Sequence, residues 1–114
     1  MKNFVKVMKA LSEPNRLKIL KMLQQKVCCV CEIQEALGIA QPTVSKHLSV
    51  LEKAGLVSAQ KRGLWVQYSL SDGRSSPYAA TLMGNLRHWL NEDSEVKKTM
   101  DKMESIDAVH ITKR

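Results

Sequence analysis

The stretch GIAQPTVSKHLSVLEKAG, residues 38–55, decides the fold. Pro42 suits the first position of a helix. Gly38 suits the end of the helix before it, and Gly55 suits the end of the helix that Pro42 begins. Three apolar residues recur at helical spacing and predict a buried stripe: Val44, Leu48 and Leu51. The sequence therefore predicts an amphipathic helix that begins at Pro42 and packs one face inward.

A shorter helical pattern covers part of residues 29–37, with Ile33 and Leu37 facing inward. Two short helices joined by a tight turn are typical of a helix-turn-helix, whose second helix enters the major groove with polar residues near its N-terminus. Glutamine can pair with an adenine edge, and hydroxyl groups can bind bases or phosphates. The candidate DNA-binding residues of the second helix are Gln41, Pro42, Thr43, Ser45, Lys46 and His47. For His47, beside the buried stripe, packing against the core and contact with a phosphate are both open.

Alternation with a period of two follows in residues 57–70 and predicts a two-stranded hairpin. Its predicted tip carries Lys61, Arg62 and Gly63. A basic-tipped hairpin after a helix-turn-helix is typical of a winged helix. We expect Lys61 and Arg62 to lie over phosphates or the minor groove, where they add affinity that weakens with salt and carries little sequence information.

Helical spacing on both sides completes the fold. Ser12 is the predicted N-cap of a second helix, with Pro14 in its first turn, and the polar run 91–94 predicts an interruption of the last helix. The fold class is mainly α with a small β-hairpin, a dimeric winged helix-turn-helix in the order α-α-α-α-β-β-α. We expect one domain over residues 1–114, divided as follows: helix-turn-helix at about 29–54, wing at about 57–70, and terminal dimerisation helices at about 3–11 and 77–104.

The charge of the chain agrees with a nucleic-acid partner. Lys and Arg number 18 against 11 Asp and Glu, a formal net charge of +7. Small basic domains often bind nucleic acid or anionic membranes, and the motifs favour double-stranded DNA. No apolar run could span a membrane and no signal-peptide core is evident, so we expect a cytoplasmic protein without a membrane partner. The sequence contains no conventional nucleophile–base pair and no phosphate loop, so we do not expect an enzyme.

Four segments resemble the ArsR/SmtB metalloregulators, over roughly residues 8 to 70. They are SEPNRLKIL (12–20), CVCEI (29–33), QPTVSKHL (41–48) and GLV (55–57). The resemblance implies a homodimeric repressor that binds operator DNA and leaves it when an inducer binds. It also implies that the first and last helices pair across the dimer. The apolar residues that would form this interface are Phe4, Met8, Leu11, Leu82, Leu86, Trp89 and Leu90.

All three cysteines lie within four positions, at Cys28, Cys29 and Cys31. The resemblance implies that Cys29 and Cys31 belong to a site for trivalent arsenic or antimony, with no organic cofactor. The best-known arsenic sensors of this family carry a third cysteine where this chain has Gln34, so Cys28 is the candidate third ligand and an external thiol is the alternative. Soft thiolates bind thiophilic ions, and we expect Lys26 and the nearby helix start to favour ionised thiols.

Helix geometry constrains such a site. On a regular helix Cys29 and Cys31 would point roughly 200° apart, whereas Cys28 and Cys31 would be about 60° apart. Convergence of all three thiols would therefore deform the first turn of the first DNA-reading helix, and Ile33 and Leu37 would pass the shift to the second. Two alternatives remain open: a redox or reactive-sulfur switch made of the same thiols, and cysteines that are merely small buried hydrophobes.

Overall fold

A computed structural model describes residues 1–74 and 76–113, with side chains as far as Ile106. The helices are α1 (Lys2–Leu11), α2 (Pro14–Gln25), α3 (Val30–Leu37), α4 (Gln41–Lys53), α5 (Pro77–Leu86) and α6 (Ser94–Lys113), and the strands are β1 (Cys28–Cys29), β2 (Val57–Arg62) and β3 (Trp65–Leu70). This order confirms the predicted winged helix-turn-helix. It adds one feature to the prediction, a short strand before α3.

The connection between α1 and α2 differs from the prediction at Ser12. The Ser12 hydroxyl donates to the Lys9 carbonyl at 2.9 Å and closes the end of α1. Glu13 caps α2 instead, because its carboxylate accepts a hydrogen bond from the Arg16 N–H at 2.9 Å. The prediction that Ser12 caps α2 was therefore wrong by one residue. Pro14 occupies the first turn of α2, as predicted.

Helices α3 and α4 form the helix-turn-helix pair. Gly38 ends α3 in the left-handed conformation, at φ 69°, and its N–H donates to the Gln34 carbonyl at 2.9 Å. Helix α4 begins at Gln41, so Pro42 stands one position later in the helix than predicted. The predicted stripe of α4 is fully buried, at Val44, Leu48 and Leu51.

The strands form one antiparallel sheet in the order β1-β3-β2. Strands β2 and β3 are the predicted hairpin, closed by the pairing of Arg62 with Trp65. Residues 63–64 make the turn between them. Because β3 is the central strand, the wing is joined to the segment that precedes α3.

Strand β1 was not predicted, and it changes the account of the cysteines. Cys28 pairs with Tyr68 and Cys29 pairs with Gln67 of β3. The prediction that residues 28–31 form the first turn of a helix is therefore wrong for Cys28 and Cys29, since α3 begins only at Val30. Pairing with a distant strand holds these two residues extended. The periodicity of the local sequence carries no information about such pairing.

One apolar core lies beneath α4 and the cysteine strand. Its largest fully buried side chains are Val7, Ile19, Leu20, Met22, Cys28, Ile33, Val44, Leu48, Leu51 and Leu56. Burial of each large aliphatic side chain contributes roughly 1.5–3 kcal/mol. The DNA-reading helix and the cysteine segment therefore share one packed support. Across the described residues, none of the helices combines the length and the apolar composition that a membrane span requires.

The C-terminal region consists of two helices rather than one. Helix α5 ends at Leu86, and α6 begins at Ser94, where the Asp93 carboxylate accepts hydrogen bonds from the Glu95 and Val96 N–H groups at 3.1 Å each. The predicted interruption is confirmed, and it starts earlier than residue 91. The chain can therefore change direction between the two helices.

Lys21 holds this interruption in place from α2. Its ammonium donates hydrogen bonds to the Leu86 carbonyl at 2.8 Å, the Trp89 carbonyl at 2.9 Å and the Asn91 side-chain oxygen at 2.6 Å. The side chain is only 5% exposed, and burial lowers the pKa of its ammonium. Leu90, between two of these acceptors, has φ 65°, a conformation that leucine rarely adopts. The buried cation therefore stabilises an unusual turn after α5.

Candidate DNA-reading surface and thiol site

The outward face of α4 is exposed near its N-terminus. The exposed side chains there are Gln41, Pro42, Thr43, Ser45 and Lys46. Backbone N–H groups at a helix start carry partial positive charge and favour a phosphate. The predicted base-contacting and phosphate-contacting residues of α4, except His47, thus lie on one solvent-facing surface.

His47 is half-buried and turned toward α2. Its Nδ1 lies 3.2 Å from Arg16 Nη1 and accepts a hydrogen bond, because a guanidinium can only donate. Its Nε2 lies 3.8 Å from the Glu13 carboxylate. Arg16 also donates to the carbonyls of Ala10 at 2.7 Å and Lys9 at 3.0 Å, at the end of α1. These contacts favour the packing interpretation of His47.

Arg16 is a residue of this surface that sequence reasoning missed. It joins the end of α1 to α4, and it lines a cleft beside the start of α4. The lining residues are Arg16, Pro42, Thr43, Lys46, His47 and Val50. Two cations in one cleft suit an anionic group such as a DNA phosphate. The signal available in the sequence was a lone arginine within an apolar helical pattern.

The wing presents Lys61 and Arg62 to solvent at the end of β2. The register places Lys61 opposite Val66 and Arg62 opposite Trp65 on β3. Successive residues of a strand point to opposite faces, so the two cations flank the hairpin tip on both sides. This arrangement suits contact with phosphates on either side of a groove.

Cys29 and Cys31 converge, with their sulfur atoms 2.7 Å apart. The helical estimate had separated them, but Cys29 precedes α3 and is extended, at φ −86° and ψ 166°. The rotation of a regular helix therefore does not apply between them. Cys31 is exposed and Cys29 is half-buried, so a ligand could reach the pair from solvent.

Cys28 does not join this pair. Its side chain is fully buried, and its sulfur lies 3.6 Å from the Lys26 carbonyl oxygen. Alternation along β1 sends Cys28 into the core and Cys29 to the surface. Among the residues whose side chains the structure describes, no three His, Cys, Asp or Glu groups are arranged to hold a metal ion. The two sulfur atoms that the structure brings together are therefore those of Cys29 and Cys31.

Glu32 organises the backbone around the thiol pair. Its carboxylate accepts a hydrogen bond from the Cys29 N–H at 3.0 Å, and the Cys29 sulfur accepts one from the Glu32 N–H. Lys26 Nζ lies 2.7 Å from the second carboxylate oxygen. Burial by itself raises the pKa of Glu32, but these hydrogen bonds and the charge of Lys26 outweigh it and lower the pKa to about 2. Glu32 is therefore a carboxylate at neutral pH.

The same surroundings keep Cys29 protonated. Burial and the hydrogen bond with Cys31 raise the pKa of the Cys29 thiol to about 12, against the opposing effect of the Glu32 N–H. The negative charge of Glu32 raises this pKa further. The prediction that Lys26 ionises the thiols is wrong for Cys29, because the Lys26 ammonium is paired with Glu32. Cys29 is a neutral thiol at pH 7.

An apolar hollow of 340 Å³ lies between α1, α2, α5 and the turn that follows α5. Its lining residues are Leu11, Leu17, Leu82, Leu86, Trp89 and Leu90. Five of these are among the predicted dimerisation residues, and Leu17 is an addition. Of the other two, Phe4 packs edge-to-face on Tyr78 with ring centroids 5.2 Å apart, and Met8 is half-buried. Trp89 is 50% exposed although it is a large apolar side chain.

The architecture and the exposed basic face define a winged helix-turn-helix DNA-binding protein. Residues 13–59 match the family described as bacterial regulatory protein, arsR family. The chain is 46% identical over 69 residues to the uncharacterised HTH-type transcriptional regulator MJ1325 of Methanocaldococcus jannaschii, which covers 60% of this chain and 78% of that protein. The chain belongs to the ArsR family; it is a transcriptional repressor and not an enzyme.

Two further relatives carry information on ligand class and assembly. The arsenic resistance transcriptional regulator ArsR1 of Pseudomonas putida is 33% identical over 92 residues, covering 77% of this chain and 72% of that protein. The homodimeric winged helix-turn-helix domain of Mb0332 from Mycobacterium bovis, a possible ArsR-family regulator, superposes with a TM-score of 0.66 and 30% identity, covering 80% of this chain and 81% of that chain.

Proposed function

We propose that this repressor binds its operator as a homodimer and is released when trivalent arsenic or antimony binds the Cys29–Cys31 pair. The observation that carries the proposal is the pair of sulfur atoms 2.7 Å apart at the solvent-accessible start of α3. Soft sulfur donors prefer thiophilic ions. The similarity to a regulator named for arsenic resistance supports the same ligand class.

The protonated state of Cys29 suits arsenous acid, As(OH)3. When two thiols replace two hydroxyl groups, two As–S bonds form, two As–O bonds break, and the thiol protons leave with the hydroxyls as two water molecules. No net proton is released, so a pKa of about 12 at Cys29 imposes no penalty. A divalent ion such as Cd²⁺ must displace that proton, and the raised pKa opposes it. The remaining arsenic position would keep a hydroxyl or take an external thiol.

Two connections lead from the thiol pair to the DNA-reading parts. Ile33 of α3 is fully buried in the core that also holds Val44 of α4. Cys29 itself pairs with Gln67 of the central wing strand. A ligand that changes the backbone at Cys29 would therefore disturb both α4 and the wing. Couplings of this kind are typically about 1–3 kcal/mol, or roughly 5–150-fold in DNA affinity.

Dimerisation is proposed through the apolar hollow and the residues around it. The exposed Trp89 and Leu90, at 50% and 39%, are large apolar side chains at its rim. Burial of such a face is the main favourable term in subunit association. The Mb0332 domain, which is homodimeric, supports self-association of this chain.

The test is a release titration on a DNA duplex selected from a random pool by the wild-type protein. Arsenous acid should release the protein at a concentration that is nearly constant between pH 6 and pH 8, because its binding releases no net proton. Cd²⁺ should act only at higher concentrations, which fall as pH rises. Release by hydrogen peroxide but not by arsenous acid would establish the redox alternative. Failure to bind any duplex at low salt would remove the operator-binding role.

A further inference from the structure

The wing tip exposes three consecutive apolar side chains. Leu64 is 97% exposed, Trp65 is 62% exposed and Val66 is 42% exposed. Two-residue hairpin turns are usually made of glycine and short polar residues. Gly63, at φ 61°, supplies the left-handed residue that the turn requires. The conformation of the turn therefore does not explain why position 64 is a leucine.

The turn presents Leu64 at the narrowest end of the wing. Gly63 and Leu64 connect Arg62 and Trp65, which lie opposite one another as the last strand pair. Glycine at the first turn position is the pattern of a type II′ hairpin, a tight connection that splays the strands little. The minor groove of B-DNA is about 6 Å wide and about 7.5 Å deep, so a tip side chain can enter it although a whole two-stranded ribbon cannot.

Charge complementarity selects the partner of this apolar tip. Lys61 and Arg62 are exposed directly beside it. A second copy of the wing would bring like charges together, whereas duplex DNA offers a phosphate backbone on each side of the groove. Apolar side chains inserted between base steps are a known means by which proteins bend DNA from the minor groove.

We propose that Leu64 enters the minor groove of the operator as an apolar wedge and bends the duplex, while Lys61 and Arg62 hold the flanking phosphates. Wedges of this kind bend DNA by about 20–90°. The deformation is easiest at flexible pyrimidine–purine steps, so Leu64 adds a preference for deformable sequence that its flanking cations cannot supply. The inference rests on the DNA binding of the proposed function and is independent of the thiol site.

The experiment measures affinity and bending with the full chain and a duplex selected from a random pool, labelled at its ends with a donor and an acceptor dye. Leu64→Ala should weaken binding roughly tenfold, which corresponds to about 1.4 kcal/mol, and should reduce the bend. The salt dependence should stay unchanged, because no charge is lost. Leu64→Met should retain most of the bend. The control Lys61→Ala should flatten the salt dependence and keep the bend.

Equal affinity and equal bend for wild type and Leu64→Ala would overturn the proposal. A loss of affinity with an unchanged bend would also overturn it, because Leu64 would then touch the DNA surface without entering it. Leu64-dependent binding to phosphatidylglycerol vesicles, or a Leu64-dependent oligomeric state, with DNA binding unaffected would assign the tip to another partner. If the wild-type chain binds no duplex, the DNA-binding proposal itself is overturned. The wild-type measurement therefore separates failure of DNA binding from failure of the wedge.

Discussion

Replacement of Lys21 by methionine tests the role of the buried cation after α5. Lys21→Met keeps the apolar stem of the side chain and removes the ammonium that donates to Leu86, Trp89 and Asn91 at 2.6–2.9 Å. Hydrogen bonds from a charged donor contribute about 1.5–3 kcal/mol each, but part of this gain is offset by the desolvation of the ammonium. Water can also reach the Trp89 and Asn91 acceptors in the variant, since these two hydrogen bonds are only partly buried. The expected net loss is about 2–3 kcal/mol.

Urea unfolding at fixed protein concentration, followed by circular dichroism, measures this loss. Lys18→Met is the matched control, since Lys18 lies on the same helix and makes an ion pair of 3.3 Å with the exposed Glu95. That pair is expected to contribute at most about 0.5 kcal/mol. Hydrogen exchange should also increase around Leu90, whose left-handed conformation depends on the neighbouring hydrogen bonds. Equal losses for the two variants would refute the role given to Lys21.

Three further variants test the site. Glu32→Gln should make the free energy of unfolding depend less on pH in the acid range. The folded-state pKa of Glu32 is about 2 against an ordinary 4.5. Its stabilisation is therefore complete above pH 4.5 and is lost as the pH falls toward 2. The loss at pH 7 should be about 1–2 kcal/mol after solvent screening, and an unchanged acid transition would contradict it. Lys61→Ala with Arg62→Ala should weaken binding to all duplexes and lower the salt slope by roughly one for each phosphate contact removed; an unchanged slope refutes the wing contacts. Gln41→Ala should weaken binding to a selected duplex more than to random DNA, and equal losses would remove it from base readout.

The fold was predictable where patterns are local. The stripe of Val44, Leu48 and Leu51 and the period-two alternation of the wing each lie within one element, so helix α4 and the hairpin were found with only small boundary differences. The cap of α2 was misassigned because Ser12 and Glu13 are both acceptors, and only their backbone positions decide which one reaches the helix start.

The site was less predictable because its geometry depends on distant residues. The convergence of Cys29 and Cys31 follows from the pairing of β1 with β3, which no periodicity near the cysteines indicates. The role of Lys21 cannot be predicted from the sequence of α2, since its hydrogen-bond acceptors come from the end of α5 and the turn after it. The protonation of Cys29 also depended on a detail of structure, the pairing of Lys26 with Glu32 rather than with the thiols.

The most direct test of the thiol site is one arsenous acid release titration on three cysteine variants. Cys28→Ala, which keeps a small apolar group in the core, should leave DNA at the wild-type arsenic concentration. Cys29→Ser and Cys31→Ser should bind the same duplex normally and stay bound at concentrations that release the wild type. Full release of Cys31→Ser, or loss of release in Cys28→Ala with its fold and DNA affinity intact, would contradict the assignment of the inducer to the Cys29–Cys31 pair.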